Sequence, residues 1–308
     1  MGGGSYSSHV SYSDSGEREV KFDGSLRRSH HISKGIDYMS MSHSDIFKQR
    51  AINNAMNPYG VKIRESRDSE EHPKSVAIMI ALDLTGSMGS IPNYLVKDGL
   101  PDCMGRIIKG GILDPQILFV GVGDHECDQS PLQVGQFESD DELVDKWLTD
   151  VWLEGGRGSN YGESYLLAWY FAGFHTEIDC FEKRGEKGFL FTIGDEPCLK
   201  ELPQSALKKI MGEGQYQNFS HFELLDKAKE KYNVFHIHVN SGRGEDEWKQ
   251  LIGDNLIVIR NREDVSRVIA EKIIEIQNSL KSSNRFKSDK ENISQNPKTE
   301  KEEVNFIV

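Results

Sequence analysis

The fold is decided by Val76-Ala77-Ile78-Met79-Ile80-Ala81-Leu82 and the loop that continues it, Asp83-Leu84-Thr85-Gly86-Ser87-Met88. Seven apolar residues without a polar break read as a strand buried on both faces, the signature of a parallel sheet covered by helices. The apolar run ends at Asp83, and side chains bearing oxygen then recur at alternate positions. In extended backbone that alternation puts Asp83, Thr85 and Ser87 on one side. One carboxylate and two hydroxyls make a suitable set for a hard divalent cation such as Mg2+, with Mn2+ as the substitute ion. They stand at the carboxyl end of a strand, where open α/β sheets place their ligands. The plain alternatives are a strand-end cap for Asp83 and N-caps of the next helix for Thr85 and Ser87.

Outward from this strand the pattern repeats. Residues 91–109 read as a helix stopped by Gly110-Gly111, and Gln116-Ile117-Leu118-Phe119-Val120-Gly121-Val122-Gly123 as a second buried strand. Residues 132–137 read as a short edge strand, 141–153 as an amphipathic helix, and 161–175 as a helix apolar nearly all round. Strands at 187–194, 234–239 and 256–260 alternate with helices at 219–232 and 263–280. The expected fold is α/β: a doubly wound, mostly parallel, Rossmann-like central sheet with one short antiparallel edge strand. Residues 1–33, rich in Gly, Ser and His, and the charge-mixed tail 281–308 are expected to be disordered. Residues 34–74 form an N-terminal extension with a short helix near 43–57, and 75–280 form the domain.

The 308 residues carry a net charge of −12, which argues against electrostatic binding to nucleic acid or an anionic membrane. No apolar run approaches the ~18 residues that span a bilayer. The N-terminus has no hydrophobic signal segment, and Tyr6 breaks the myristoylation pattern. A cytoplasmic location is expected. The four cysteines, Cys103, Cys127, Cys180 and Cys198, lack zinc or redox spacing and are expected to be free thiols.

Two further loops belong to the candidate site. Gly155-Gly156-Arg157-Gly158-Ser159-Asn160-Tyr161-Gly162-Glu163 opens the apolar helix. Thr192-Ile193-Gly194-Asp195-Glu196-Pro197 comes directly after a strand. With these three loops in view, the chain resembles the von Willebrand factor A domain family, whose metal-ion-dependent adhesion site uses D-x-S-x-S, then a Thr or Asp, then an Asp. Asp83 and Ser87 match the first motif and Thr85 keeps the hydroxyl. Asp195 matches the third loop. The second loop departs from the integrin pattern and is closer to the G-G-G-D-x-P-E form of bacterial and kinase-linked members, with Asn160 at the Asp place and Glu163 at the Glu place. Ser159 competes with Asn160 for the ligand role, and Asn160 with Glu163 also has the spacing of a capping box. The resemblance covers roughly residues 75–280. Residues 65–69 together with 83–88 also resemble bacterial or phage stand-alone members.

The resemblance implies Thr85 and Ser87 as direct Mg2+ ligands, and Asp83 and Asp195 as acceptors orienting bound water. It implies an ion left under-neutralised, so that an Asp or Glu of a partner protein completes its shell. The corresponding function is that of an adaptor or co-chaperone, with a MoxR-type AAA+ ATPase as a partner, rather than an enzyme. Asp124 and Glu196 are rim candidates. Two rivals remain: a metal-dependent hydrolase using Asp83, Asp195, His125 and Glu126, and a structural component of a phage or other particle. His236 and His238 share one face of a strand and read as core histidines before they read as a metal pair. Arg157 suits either a partner acid or plain solvent. The terminal Phe306-Ile307-Val308 suits either docking or a frayed end.

Overall fold

The computed structural model describes residues 8–12, 18–22, 33–155, 161–239 and 243–294. Six strands form the central sheet: β1 (Val76–Asp83), β2 (Pro115–Val122), β3 (Leu132–Val134), β4 (Gly188–Gly194), β5 (Tyr232–Val239) and β6 (Leu256–Ile259). Their spatial order is β3-β2-β1-β4-β5-β6. All neighbours run parallel except β3, which lies antiparallel on the β2 edge. This is the doubly wound order, with its switch point between β1 and β4. The expected fold class, including the antiparallel edge strand, is what the chain adopts.

Burial on both faces explains the unbroken apolar runs, and the pleat sorts them. Val76, Ile78, Ile80 and Leu82 face one layer, and Ala77, Met79 and Ala81 the other. The first layer is built by α1 (residues 91–109), α2 (Asp141–Thr149) and the start of a long final helix, α8 (Asp264–Ser294). The second holds α3 (Leu166–Phe174), α5 (Gln204–Met211), α6 (His221–Lys231) and α7 (Glu245–Ile252). The short α4 (Asp179–Arg184) ends at Gly185, whose φ of 66° is the left-handed cap. α1 is not one regular helix: Ile91–Tyr94 leads into a π turn, Leu95–Gly99, then Leu100–Lys109. Pro101 has no N–H to give to Lys97, and the helix accommodates it by widening there.

Several boundaries differ from the sequence reading. The helix expected from residue 161 starts at Leu166. Within the two terminal segments, Ser8–Tyr12 pairs antiparallel with Arg18–Phe22 and α8 runs on to Ser294; residues 1–7, 13–17, 23–32 and 295–308 fall outside the described residues. The N-terminal extension packs onto the domain. Its short helix His43–Ile46 and the turn Asn54–Met56 bury Ile46, Phe47 and Met56. Arg64–Ser66 pairs in parallel with Thr176–Ile178, a two-stranded sheet of its own. Ser66 donates to the Gln116 side chain at 2.7 Å, and Gln116 donates back to the Arg67 carbonyl at 3.0 Å. No described helix is long and apolar enough to cross a membrane.

Candidate functional site

Asp83 ends β1 beside the switch point and is fully buried. Its Oδ1 accepts the Thr85 backbone N–H at 2.8 Å and the Thr85 hydroxyl at 2.6 Å, an Asx turn closed twice. Its Oδ2 accepts the Tyr165 hydroxyl at 2.9 Å. Thr85 occupies the N-cap position of the 3-10 turn Gly86–Met88, but its side chain makes no cap bond and turns back to Asp83. The capping alternative for Thr85 is therefore not used. Burial, reinforced by the Asp195 carboxylate, raises the Asp83 carboxyl to about 6 against the hydrogen bonds that lower it.

The second loop returns to the first: a Cβ on Gly86 would lie 3.0 Å from the Gly155 carbonyl oxygen. Residues 156–160 fall outside the described residues, and with them the expectations for Arg157, Ser159 and Asn160; nothing is described of the Ser87 side chain. Glu163 lies ahead of α3, whose N-cap position is Tyr165, so it is not the third residue of a capping box on that helix.

Residues 163–165 form a hub that the sequence reading did not find. Glu163 donates its N–H to the Pro197 carbonyl and accepts the Leu199 N–H, fixing the third loop. Ser164 donates its N–H to the Gly123 carbonyl, and its Oγ accepts the His125 N–H at 2.9 Å, fixing the loop after β2. Tyr165 holds Asp83. Three consecutive residues thus tie three strand-end loops together. The only sequence signal for it is a polar-tipped aromatic inside an apolar run. Behind Tyr165 lie His236, edge-on at 5.2 Å, and Trp248, at 5.4 Å. Trp248 stacks on His236 at 3.5 Å and donates its indole N–H to the Glu196 carbonyl at 2.9 Å.

The site is dense in carboxylates. Asp124 Oδ1 accepts the Glu126 N–H, a bond within its own loop. Asp128 Oδ2 accepts the Asp124 N–H. Asp124 Oδ2, Glu163 Oε2 and Glu196 Oε2 are buried oxygens with no hydrogen-bond partner. Glu163 is raised to about 9, first by burial and then by Asp83, Asp124, Asp128 and Glu196. Arg243 pairs with Glu196 at 3.3 Å. Buried carboxylate oxygens without hydrogen-bond partners fit a small hard cation. Among the described residues, no three His, Cys, Asp or Glu side chains are arranged to hold an ion by themselves. An ion here would need hydroxyls, water and the second loop.

The other candidates separate from this cluster. His125 Nδ1 lies 2.7 Å from the Oγ of buried Ser164, and burial lowers its pKa. With Glu126 it lines an open groove of about 450 Å3 with Glu201, Pro203, Ser205, Ala206 and Lys209, apart from Asp83 and Asp195. His236 and His238 are buried core residues. The Thr192 hydroxyl bonds His236 Nδ1 at 2.9 Å, and burial holds the His236 ring well below its ordinary pKa. His175 stands at the C-cap position of α3, with its Nδ1 donating to the Lys62 carbonyl at 2.8 Å, and burial lowers its pKa. The four cysteines are free thiols.

No protein-family model matches the chain, and no curated protein matches it. Among solved structures it is similar to the pilus adhesin SpaC from Lactobacillus rhamnosus GG in its open conformation (TM-score 0.43, 11% identity, covering 68% of this chain and 31% of that one). It is also similar to proximal thread matrix protein 1 from the mussel byssus (TM-score 0.42, 11% identity, 65% and 47%). The chain thus spans a third to a half of the length of these structures. Likeness at this level leaves fold and function to be argued from the chain's own residues.

Proposed function

We propose that this chain is a protein-binding module of the von Willebrand factor A type, whose strand-end loops hold Mg2+ and offer it to a carboxylate of a partner protein. The observation that carries this reading is the Asp83–Thr85 pair at the switch point, together with Glu163, whose carboxyl Asp83 helps to push up and whose Oε2 is buried without a hydrogen-bond partner. Thr85 gives its hydroxyl proton to Asp83. In this reading Thr85 and Ser87 hold the ion directly, Asp83 and Asp195 orient its waters, and Ser159 or Asn160 completes the protein's share. Bound there, the ion would supply a positive centre that attracts a partner's Asp or Glu.

The hydrolase reading has less support. His125 is tied to a serine with no exposed surface, and the groove it lines excludes Asp83 and Asp195.

The test is affinity capture from native lysate in Mg2+ or EDTA, with wild type and Asp83→Ala, after circular dichroism has shown both to be folded. A partner lost in EDTA and with the variant is expected. Equal capture in all four arms would refute metal-bridged recognition.

A further inference from the structure

His72, Asp114 and Ser139 meet at the other end of the sheet from Asp83, each from a different segment: His72 ahead of β1, Asp114 ahead of β2 and Ser139 ahead of α2. Ser139 Oγ lies 3.0 Å from His72 Nε2, and His72 Nδ1 lies 3.4 Å from Asp114 Oδ1. The second distance is long, as catalytic hydrogen bonds often are before a substrate binds. A carboxylate only accepts, so Nδ1 carries the ring proton and Nε2 accepts from the Ser139 hydroxyl. That is the tautomer of a general base, and hydroxyl, imidazole and carboxylate in line make a serine nucleophilic. The ring is held from behind. His72 donates its N–H to Ser69 Oγ at 3.0 Å, and its carbonyl accepts the Ser69 N–H at 3.0 Å. Asp114 Oδ2 accepts the Lys74 N–H at 3.1 Å. Ser139 and His72 are each 6% exposed, enough to meet a small reagent at the surface and too little for a polymer. Glu70, Glu71, Glu138 and Asp140 stand beside them in sequence against Lys74, so an anionic reagent is repelled.

We propose that Ser139 is a nucleophilic serine that takes the acyl group of small, uncharged or cationic esters, with His72 as its base and Asp114 as a positioning residue. Ser139 Oγ attacks the ester carbonyl as its proton passes to His72 Nε2. The acyl C–O bond then breaks, and the alcohol leaves with that proton. Water attacks the acyl-serine and gives a proton to Nε2. That proton returns to Ser139 Oγ as the carboxylic acid departs. The proposal stands apart from the metal-dependent reading, because it shares no residue with the loops around Asp83.

The experiment treats the full chain with a neutral alkyl fluorophosphonate, which forms an Oγ–P bond and releases fluoride, and locates the adduct by peptide mass spectrometry. Wild type is expected to be labelled at Ser139, saturably. In His72→Gln and Asp114→Asn, shown to be folded by circular dichroism, the labelling rate at saturation falls about a hundredfold while the half-saturating concentration holds within about threefold. A merely structural His72–Asp114 pair would leave that rate where it was. The burst of p-nitrophenol from p-nitrophenyl acetate should match the amount of chain and run faster than from the anionic p-nitrophenyl hemisuccinate. Wild type unlabelled at Ser139 overturns the proposal, a result that needs no variant. So does a labelling rate that stays within about threefold in either folded variant. A hemisuccinate burst faster than the acetate burst overturns the substrate class.

Discussion

Gly194→Ala is the most demanding test of how the site is built. Gly194 closes β4, and its backbone is not in the positive-φ region, so alanine meets no conformational penalty there. The obstacle is Tyr165: a Cβ at position 194 would lie 1.7 Å from its oxygen, 2.5 Å from Cζ and 2.7 Å from Cε1. Tyr165 has no empty space to move into, because Trp248 and His236 lie against its ring. Overpacking of this kind costs about 1–3 kcal/mol. Displacing the phenol also leaves the buried Asp83 Oδ2 without its donor, roughly 1–3 kcal/mol more. The sum, about 2–6 kcal/mol, corresponds to a melting point lower by roughly 5–20 °C for a domain of this size. Urea and thermal denaturation in EDTA measure it. The cost should largely vanish in a Tyr165→Ala background, to below about 1 kcal/mol, because the two changes share one clash. An equal cost with and without Tyr165 would refute the reasoning.

Asp83 gives a pH signature. Its folded pKa of about 6 lies above the ordinary 3.8, so the folded state holds the proton more tightly than the unfolded one. Stability is then full below about pH 4 and falls as pH rises through 6, by about 3 kcal/mol once ionisation is complete. In EDTA, the stability of Asp83→Asn minus that of wild type should rise by this amount between pH 4 and 7.5, and Mg2+ should close the gap. A flat difference in EDTA would contradict the burial argument. Arg67 holds the extension to the domain through Glu177, Asp179 and Glu182. Arg67→Ala should speed thermolysin cleavage within residues 34–74 by about tenfold, as local opening becomes easier by roughly 1–2 kcal/mol. An unchanged rate would mean that the Ser66–Gln116 pair suffices.

The parallel strands are legible in the sequence because burial on both faces leaves a continuous apolar run. β1, β2 and β4 each read that way, and with the helices between them they imply the doubly wound order. The first loop is legible for a related reason: alternate oxygen side chains after a buried strand have few other uses. α4, α5 and α7 escape because each is short and shows only a few apolar residues, such as Leu207, Ile210 and Met211 in α5. Their helicity comes from packing on a sheet already formed rather than from a repeat long enough to recognise. Tyr165 escapes for the opposite reason. In a helix apolar on every side, nothing in sequence distinguishes a tyrosine that fills the core from one whose hydroxyl holds a carboxylate. The part of the 163–165 hub made by the Glu163 and Ser164 backbone groups has no residue-type signature.

The parallel pair between Arg64–Ser66 and Thr176–Ile178 also bears on synthesis. Arg67 and its acceptor Asp179 stand 112 residues apart. At ribosomal speeds of about 5–20 residues per second, the extension leaves the ribosome roughly 5 to 20 seconds before its pairing strand exists. During that interval Ile46, Phe47 and Met56 have no finished layer to bury against. The extension is therefore early in sequence but late in assembly, a segment for which a chaperone would have most to do.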